Sequence, residues 1–229
     1  MDISNRLKSI ANMVGKCECV ADIGTDHAYL PIYLVEQGIC NRAIASDINK
    51  GPVEKAKRNI YFAHRSDQIQ CRLGAGLTTI LPQEVNCAII AGMGGNLIRD
   101  ILEDSIEVFK NLDYVILQPV QNVDVLRKYI LENGYNIIDE ELCVDENKYY
   151  EIIKIAYDNK FEKFDDIYCE ISKKLLEKKH PLLKKYIFFK IRKYDKILND
   201  INYTSKLAIS RKCELEGKII KLKELLKCL

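Results

Sequence analysis

The sequence predicts an α/β protein: an open, mostly parallel sheet covered by helices on both faces, followed by a helical hairpin. Three observations carry this. Short apolar runs alternate with helix-period segments over the first two-thirds of the 229 residues. Two extended stretches, separated by the polar run Asp145-Glu146-Asn147-Lys148, end that alternation as an antiparallel pair. Beyond Asp158 long amphipathic runs take over, with no glycine between Gly134 and Gly217.

Taken in order, Leu7, Ile10, Ala11 and Val14 recur at helical spacing, with Ser4 placed to cap. Cys19-Val20-Ala21-Asp22-Ile23 ending at Gly24 reads as a buried strand. Tyr29–Gln37 is helical, with Pro31 tolerable only in its first turn and Gly38 as the stop. Arg42–Ile48 reads as a second strand and Pro52–Ala63 as a helix opened by its proline. Gln68–Leu73, Val85–Ala91 and Asp113–Gln118 are three more strands, the last stopped by Pro119. Asn96–Phe109 and Val123–Asn133 have helical spacing. Tyr135–Val144 and Tyr149–Tyr157 form the closing pair. The crossover lengths suit right-handed βαβ units.

In the remainder, Ile187, Ile191, Tyr194, Leu198 and Ile201 make one apolar seam, and Leu215, Ile219, Leu222, Leu226 and Leu229 a second. Asn202-Tyr203-Thr204-Ser205 lies between them, with Thr204 or Ser205 available as a cap, so an antiparallel coiled-coil hairpin is expected. Pro181 is expected near the start of the first long helix. The expected division is residues 1–158 and 159–229.

The net charge of +2 conceals an asymmetry. Residues 160–229 hold 19 Lys plus Arg against 10 Asp plus Glu, and residues 1–159 hold 16 against 23. A basic tail on an acidic body points to a polyanion partner. The nine cysteines are scattered, odd in number and mostly set in apolar runs, which implies reduced thiols in a reducing compartment rather than a disulfide framework. Cys17 and Cys19 have no second pair or nearby histidine, so no metal site is expected. No apolar run is long enough to span a bilayer, and Met1–Val14 lacks an apolar signal core. A cytoplasmic location without membrane association follows as an expectation.

The chemistry concentrates at predicted strand ends, the usual ligand crevice of an open sheet. Asp22-Ile23-Gly24-Thr25-Asp26-His27-Ala28 lies where the first strand turns into a helix. Its glycine permits a sharp bend and close approach of backbone to ligand. The carboxylates of Asp22 and Asp26 would repel a pyrophosphate and attract an ammonium and a sulfonium, favouring S-adenosylmethionine over a dinucleotide. Asp47 ends the second strand 25 positions after Asp22, where a carboxylate can accept from both hydroxyls of a ribose. It can equally cap the helix that follows. Leu73-Gly74-Ala75-Gly76 could flank an adenine. Ala91-Gly92-Met93-Gly94-Gly95 places backbone amides and carbonyls bare at the fourth strand end, and Gln118 offers both a donor and an acceptor.

These segments, with Asp47-Ile48-Asn49-Lys50-Gly51-Pro52, Leu117-Gln118-Pro119 and Tyr149-Tyr150-Glu151-Ile152-Ile153, resemble the bacterial TrmK family, the tRNA (adenine-22-N1)-methyltransferases. The likeness runs over residues 4–157 in order and more loosely through the hairpin. It implies a Rossmann-like class I methyltransferase sheet, a C-terminal coiled coil, S-adenosylmethionine as cofactor and tRNA as partner. By position, Asp22, Gly24, Asp26 and His27 would line the methionine side of the pocket. Asp47 would hold the ribose, Gly76 would lie near the adenine, and Gly92 and Met93 would lie beside the reacting methyl. Thr25, Ile48, Gly74 and Ala75 complete the expected cofactor-binding set. Val120-Gln121-Asn122 departs from the family's usual pattern.

Adenine N1 has an available lone pair, so its methylation needs chiefly placement and exclusion of water. No Asp/Asn-Pro-Pro-aromatic motif is present, which favours a ring nitrogen over an exocyclic amine. Asp26 and His27 are the candidate catalytic groups near the base, with Tyr29 as a stacking face or a core residue. Lys50, Lys55, Lys57, Arg58 and Arg65, and on the hairpin Lys184, Lys185, Lys190, Arg192, Lys193 and Lys196, are candidate phosphate contacts. A monomer is expected. Two other readings stay open from sequence: methylation of a small molecule or protein, and a non-catalytic RNA-binding module with a vestigial pocket.

Overall fold

The computed structural model describes residues 2–161, 163–200, 205–227 and 229. The chain divides into two compact units, Met1–Lys163 and Phe164–Leu229.

In the first unit, α1 (Asn5–Asn12) is capped by Ser4, whose hydroxyl accepts from Leu7 N. Then follow β1 (Cys17–Ile23), α2 (Tyr29–Glu36), β2 (Cys40–Asp47), α3 (Lys50–Phe62) and β3 (Ile69–Leu73). A single 3-10 turn, Gly76–Thr79, precedes β4 (Cys87–Gly94), α4 (Gly95–Asp104), the short α5 (Ile106–Phe109), β5 (Tyr114–Gln121) and α6 (Val123–Glu132). A long hairpin of β6 (Tyr135–Asp145) and β7 (Lys148–Tyr157) closes the sheet.

The sheet order is β3-β2-β1-β4-β5-β7-β6. The first five strands in the chain pair in parallel, and β7 is antiparallel to both β5 and β6. Strand order reverses between β1 and β4, which opens a crevice at their C-terminal ends. Alternation along each central strand feeds two cores. Val20, Ala43, Ala45 and Ile89 pack with α1, α2 and α3 on one face, and Ala21, Ile23, Ile90 and Leu117 pack with α4 and α6 on the other.

Two expectations are corrected. The fourth strand does not end at Ala91 in a bare turn, and Pro119 does not stop the fifth. Both continue paired, Met93 opposite Pro119 and Gly94 opposite Gln121, through register shifts on either side of Met93. A bulge lets a proline sit in an interior strand, because the shifted ladder does not require its missing N–H.

Beneath the hairpin, the Arg127 guanidinium bonds Glu140 Oε1 at 2.8 Å and Glu151 Oε2 at 2.7 Å, with all three residues buried. The pairing ties α6 to both closing strands, so the conspicuous Glu151 is a structural ion-pair member. Cys17 Sγ lies 2.9 Å from Cys40 Sγ, and the eight described cysteines are free thiols.

The second unit holds α7 (Ile167–Glu170), α8 (Lys173–Glu177), α9 (Leu183–Asp200) and α10 (Lys206–Lys227). The two short helices have no counterpart in the sequence expectation. Helices α9 and α10 pack on each other through Ile187, Ile191 and Tyr194 against Leu215, Ile219 and Leu222, all buried. Ser205 caps α10, accepting from Ala208 N at 3.1 Å. Ile201, the Asn202–Thr204 part of the turn and Cys228 lie outside the described residues. Among the described residues, no helix is long and apolar enough to cross a membrane.

Lys190 is a correction. It is not a surface cation but buried, donating to Glu170 O at 2.6 Å and Oε2 at 3.0 Å. Lys218 from α10 reaches Glu170 Oε1 at 2.5 Å, and the Tyr194 hydroxyl also donates to this carboxylate. Burial alone would raise the Glu170 pKa, but these three partners outweigh it and bring it down to about 2.

Candidate active site

The site is built on the ends of β1, β2 and β4. Apolar neighbours on both sides carry Asp22 into the sheet interior, where it pairs in register with Ala45 and Ile89. Burial pushes its carboxyl up to about 6; Thr25 and the charge of Arg6 oppose the rise, and Asp47 adds to it. Among the described residues no cation forms an ion pair with it. A buried carboxylate left in this state is suited to a cationic ligand.

Gly24 follows with a left-handed backbone, φ +80°, and a Cβ there would run into Met93 Cε. The left-handed backbone is what requires glycine, while the flexible end of Met93 could swing aside from a Cβ. Gly24 N and Thr25 N both donate to Ser46 O, at 2.8 and 2.9 Å, which locks the turn onto β2. Thr25 Oγ1 accepts from Ala28 N at 3.1 Å and steadies Ala28, itself left-handed at φ 55°.

Asp26 and His27 lie at the rim. The Asp26 side chain is 60% exposed and pairs with His27 Nε2 at 3.1 Å and Lys55 Nζ at 3.3 Å. The His27 carbonyl accepts from Asn59 Nδ2 at 2.9 Å, and its ring stacks on Tyr29 with centroids 4.9 Å apart and planes 7° from parallel. Tyr29 is exposed and so is not a core residue. The two rings make a flat aromatic platform beside the turn.

Asp47 is half-buried at the end of β2, and its side chain does not cap α3, whose N-cap is Asn49. One oxygen accepts from Asn49 N at 2.7 Å in the turn leading to α3, and the other carries no protein partner among the described residues. Ile48 is exposed next to it. Gly74 N bonds Asp47 O at 3.0 Å, which brings the Gly74-Ala75-Gly76 loop alongside. Gly76, at φ +51°, faces Ile101 of α4. Gly92 has φ +79°, with Arg6 Nη1 3.8 Å from where its Cβ would stand. The structure therefore brings Asp22, Gly24, Thr25, Asp47, Gly92 and Met93 to neighbouring ends of β1, β2 and β4, with Asp26 and His27 in the turn after β1 and Gly74–Gly76 after β3.

Gln118 differs from expectation. It is fully buried, its Oε1 accepts from Arg6 Nη1 at 2.7 Å, and its Nε2 donates to Pro119 O at 2.9 Å. Both ends of the amide are committed inside the protein. The residue that sequence reasoning missed is Arg6, 112 positions away, for which no local motif gives a signal.

A sheet with β7 inserted antiparallel between β5 and β6 and a ligand crevice at β1/β4 is the arrangement of Rossmann-like methyltransferases, and a family model described as a methyltransferase domain matches residues 3–153. The chain is 34% identical over 167 residues to the tRNA (adenine(22)-N(1))-methyltransferase of Bacillus subtilis (strain 168), covering 73% of this chain and 70% of that one. It belongs to this family of tRNA (adenine(22)-N(1))-methyltransferases. The crystal structure of B. subtilis TrmK superposes with a TM-score of 0.87 at 28% identity, covering 98% of this chain and 99% of that one. That of M. capricolum TrmK in complex with the cofactor product S-adenosyl-homocysteine gives 0.84 at 28% identity, covering 99% and 98%.

Proposed function

We propose that this chain methylates N1 of adenine 22 in tRNA with S-adenosylmethionine as donor, acting as a cytoplasmic monomer, with its chemistry in residues 1–158 and tRNA binding assisted by residues 159–229. The carrying observation is the pair of carboxylates at adjacent strand ends: among the described residues, Asp22 is buried without an ion-pair partner and Asp47 has one oxygen unused. These fit the donor, whose ammonium would meet Asp22 and whose ribose hydroxyls would meet Asp47. When bound, the donor supplies an electrophilic methyl on a sulfonium.

Gly24 and Thr25 hold the backbone of the pocket open, Gly92 and Met93 line the side from which the methyl leaves, and Ile48 with Gly74, Ala75 and Gly76 flanks the adenine of the donor. The target adenine must leave its stack, at a cost of about a few kcal/mol. The His27–Tyr29 platform offers it a replacement stacking surface. Asp26 and His27 orient the base, and the Asp26 carboxylate balances the positive charge that N1 methylation creates. Since N1 uses its own lone pair, orientation and dryness supply most of the rate.

Exposed Lys50, Lys57 and Arg58 on α3, and Lys184, Lys185, Arg192, Lys193 and Lys196 on α9, are the phosphate contacts in this reading. The deciding experiment transfers labelled methyl from S-adenosylmethionine to unmodified tRNA and identifies the nucleoside. The expected product is 1-methyladenosine at position 22; N6-methyladenosine, or label on protein alone, would overturn the assignment.

A further inference from the structure

Each of the three strands whose ends carry the site begins with a cysteine: Cys17 opens β1, Cys40 opens β2 and Cys87 opens β4. The strands are neighbours in the sheet, in the order β2-β1-β4. All three side chains belong to one core, with Cys40 and Cys87 buried and Cys17 half-buried at its edge. Cys17 and Cys40 stand opposite each other in register. Neighbouring strands run about 4.8 Å apart, inside the roughly 4.4–6.8 Å between Cα atoms that a disulfide spans. The two sulfurs are 2.9 Å apart, and both are free thiols.

The three thiols are not equivalent. Cys17 is the least buried, so it loses least hydration on ionising. The Cys40 thiol can donate to it and Cys87 acts in the same direction, which holds Cys17 below the ordinary thiol range. Cys40 and Cys87 are pushed above that range by the same bonding and by burial. A half-accessible thiolate with a protonated thiol in contact is the arrangement of a redox-active pair. Among the described residues no three His, Cys, Asp or Glu side chains are grouped to hold a metal ion.

We propose that Cys17 and Cys40 are a site of reversible oxidation by hydrogen peroxide, with Cys17 as the attacking thiolate and Cys40 as the thiol that resolves it. The Cys17 sulfur attacks one peroxide oxygen and the O–O bond breaks. The departing hydroxide takes up the proton that Cys17 gave and leaves as water, so that Cys17 is a sulfenic acid. The Cys40 sulfur then attacks the Cys17 sulfur, the S–O bond breaks, and the hydroxyl leaves as a second water with the Cys40 proton. Two thiols have lost two electrons, and one peroxide has become two waters. Closing the disulfide stops Cys17 short of the sulfinic acid, which ordinary thiols do not reverse. The bridge ties β1 to β2 at the strand ends remote from the Gly24 turn, roughly 20 Å along β1.

The test treats the full chain with hydrogen peroxide, blocks the remaining thiols and cleaves after Glu18 and Glu36, which puts Cys17, Cys19 and Cys40 on different peptides. Mass spectrometry is expected to find the Cys17 and Cys40 peptides joined, lighter by two hydrogens than the separate pair, and parted again by dithiothreitol. Cys213, exposed on α10, is the reference for unassisted oxidation, and Cys17 should react at least about tenfold faster. Cys40→Ser should leave Cys17 at the sulfenic stage, where dimedone labels it, and Cys17→Ser should slow oxidation of Cys40 to the Cys213 rate or below. Dimedone present while the unsubstituted chain is oxidised should label Cys17 at the expense of the bridge, which serves if either variant folds poorly. Oxidation of Cys17 no faster than Cys213 would overturn the proposal. So would a Cys17 that is joined to Cys87 instead of Cys40, or that goes on to sulfinic acid in the unsubstituted chain without a bridge.

Discussion

Two buried carboxylates, Asp22 in the first unit and Glu170 in the second, have opposite fates. Glu170 is surrounded by Lys190, Lys218 and Tyr194, and these outweigh its burial and bring its pKa down to about 2. Asp22 has only a distant Arg6 and the Thr25 hydroxyl to set against burial, and its pKa stands at about 6. The first is satisfied by its own chain and serves architecture. The second has no internal counter-charge bonded to it among the described residues, and in the proposed function its partner is the cationic end of the donor. Burial alone does not mark a functional carboxylate; burial without an internal counter-charge does.

The largest expected effect comes from emptying the satisfied site. Glu170→Ala leaves Lys190 and Lys218 facing each other without their carboxylate and should destabilise the second unit by about 3–5 kcal/mol, read by chemical denaturation. The matching pH signature follows from its lowered pKa. The stability it contributes, on the order of 3 kcal/mol, is present above the ordinary 4.5 and is lost as pH falls toward 2.

Asp22→Asn should do the reverse. Because the folded-state pKa of Asp22 is raised, its ionisation opposes folding: the cost grows as pH rises from 3.8 through about 6 and then stays constant. The asparagine variant should therefore melt higher than the parent at pH 8 without ligand, by up to about 3 kcal/mol, while losing S-adenosylhomocysteine binding more than about a hundredfold. A variant that melts lower and binds normally would erase the contrast between the two carboxylates.

A smaller effect sharpens it. A cationic ligand selects ionised Asp22, so affinity for S-adenosylhomocysteine should fall as pH drops below about 6, approaching tenfold per unit; calorimetry at pH 5, 6 and 7.5 checks this. Smallest are the surface cations. Replacing Lys184, Lys185, Arg192, Lys193 and Lys196 singly should weaken tRNA binding a few-fold each and lower the slope of log affinity against log salt by up to about one, whereas Lys190→Ala should act on stability instead.

That last distinction shows where sequence was legible and where it was not. The order of elements could be read from apolar runs because the central strand interiors, such as Val20-Ala21 or Ile89-Ile90, are buried on both faces. The motif around Asp22, Gly24 and Asp47 was legible because its residues are local to two strand ends. Lys190 was misread because charge was taken to mean surface, although Ile187, Lys190, Ile191 and Tyr194 share one helical face at spacings of three, four and seven. Its partner Glu170 sits in a four-residue helix too short to leave a periodic signal. The commitment of the Gln118 amide is not legible in sequence because its partner, Arg6, is brought to it only by tertiary packing. The extension of β4 and β5 past Ala91 and Gln118 depends on a bulge, and no local rule marks a glycine-rich run as paired rather than open.

The contact between Gly24 and the end of Met93 has a consequence for how such sequences diverge. Position 24 lies in the turn after β1 and position 93 in β4, yet the two meet. A side chain larger than hydrogen at 24 would push the flexible end of Met93 aside, and would still inherit a left-handed backbone. Drift at these two places should be correlated, with glycine at 24 the far more stubborn of the pair.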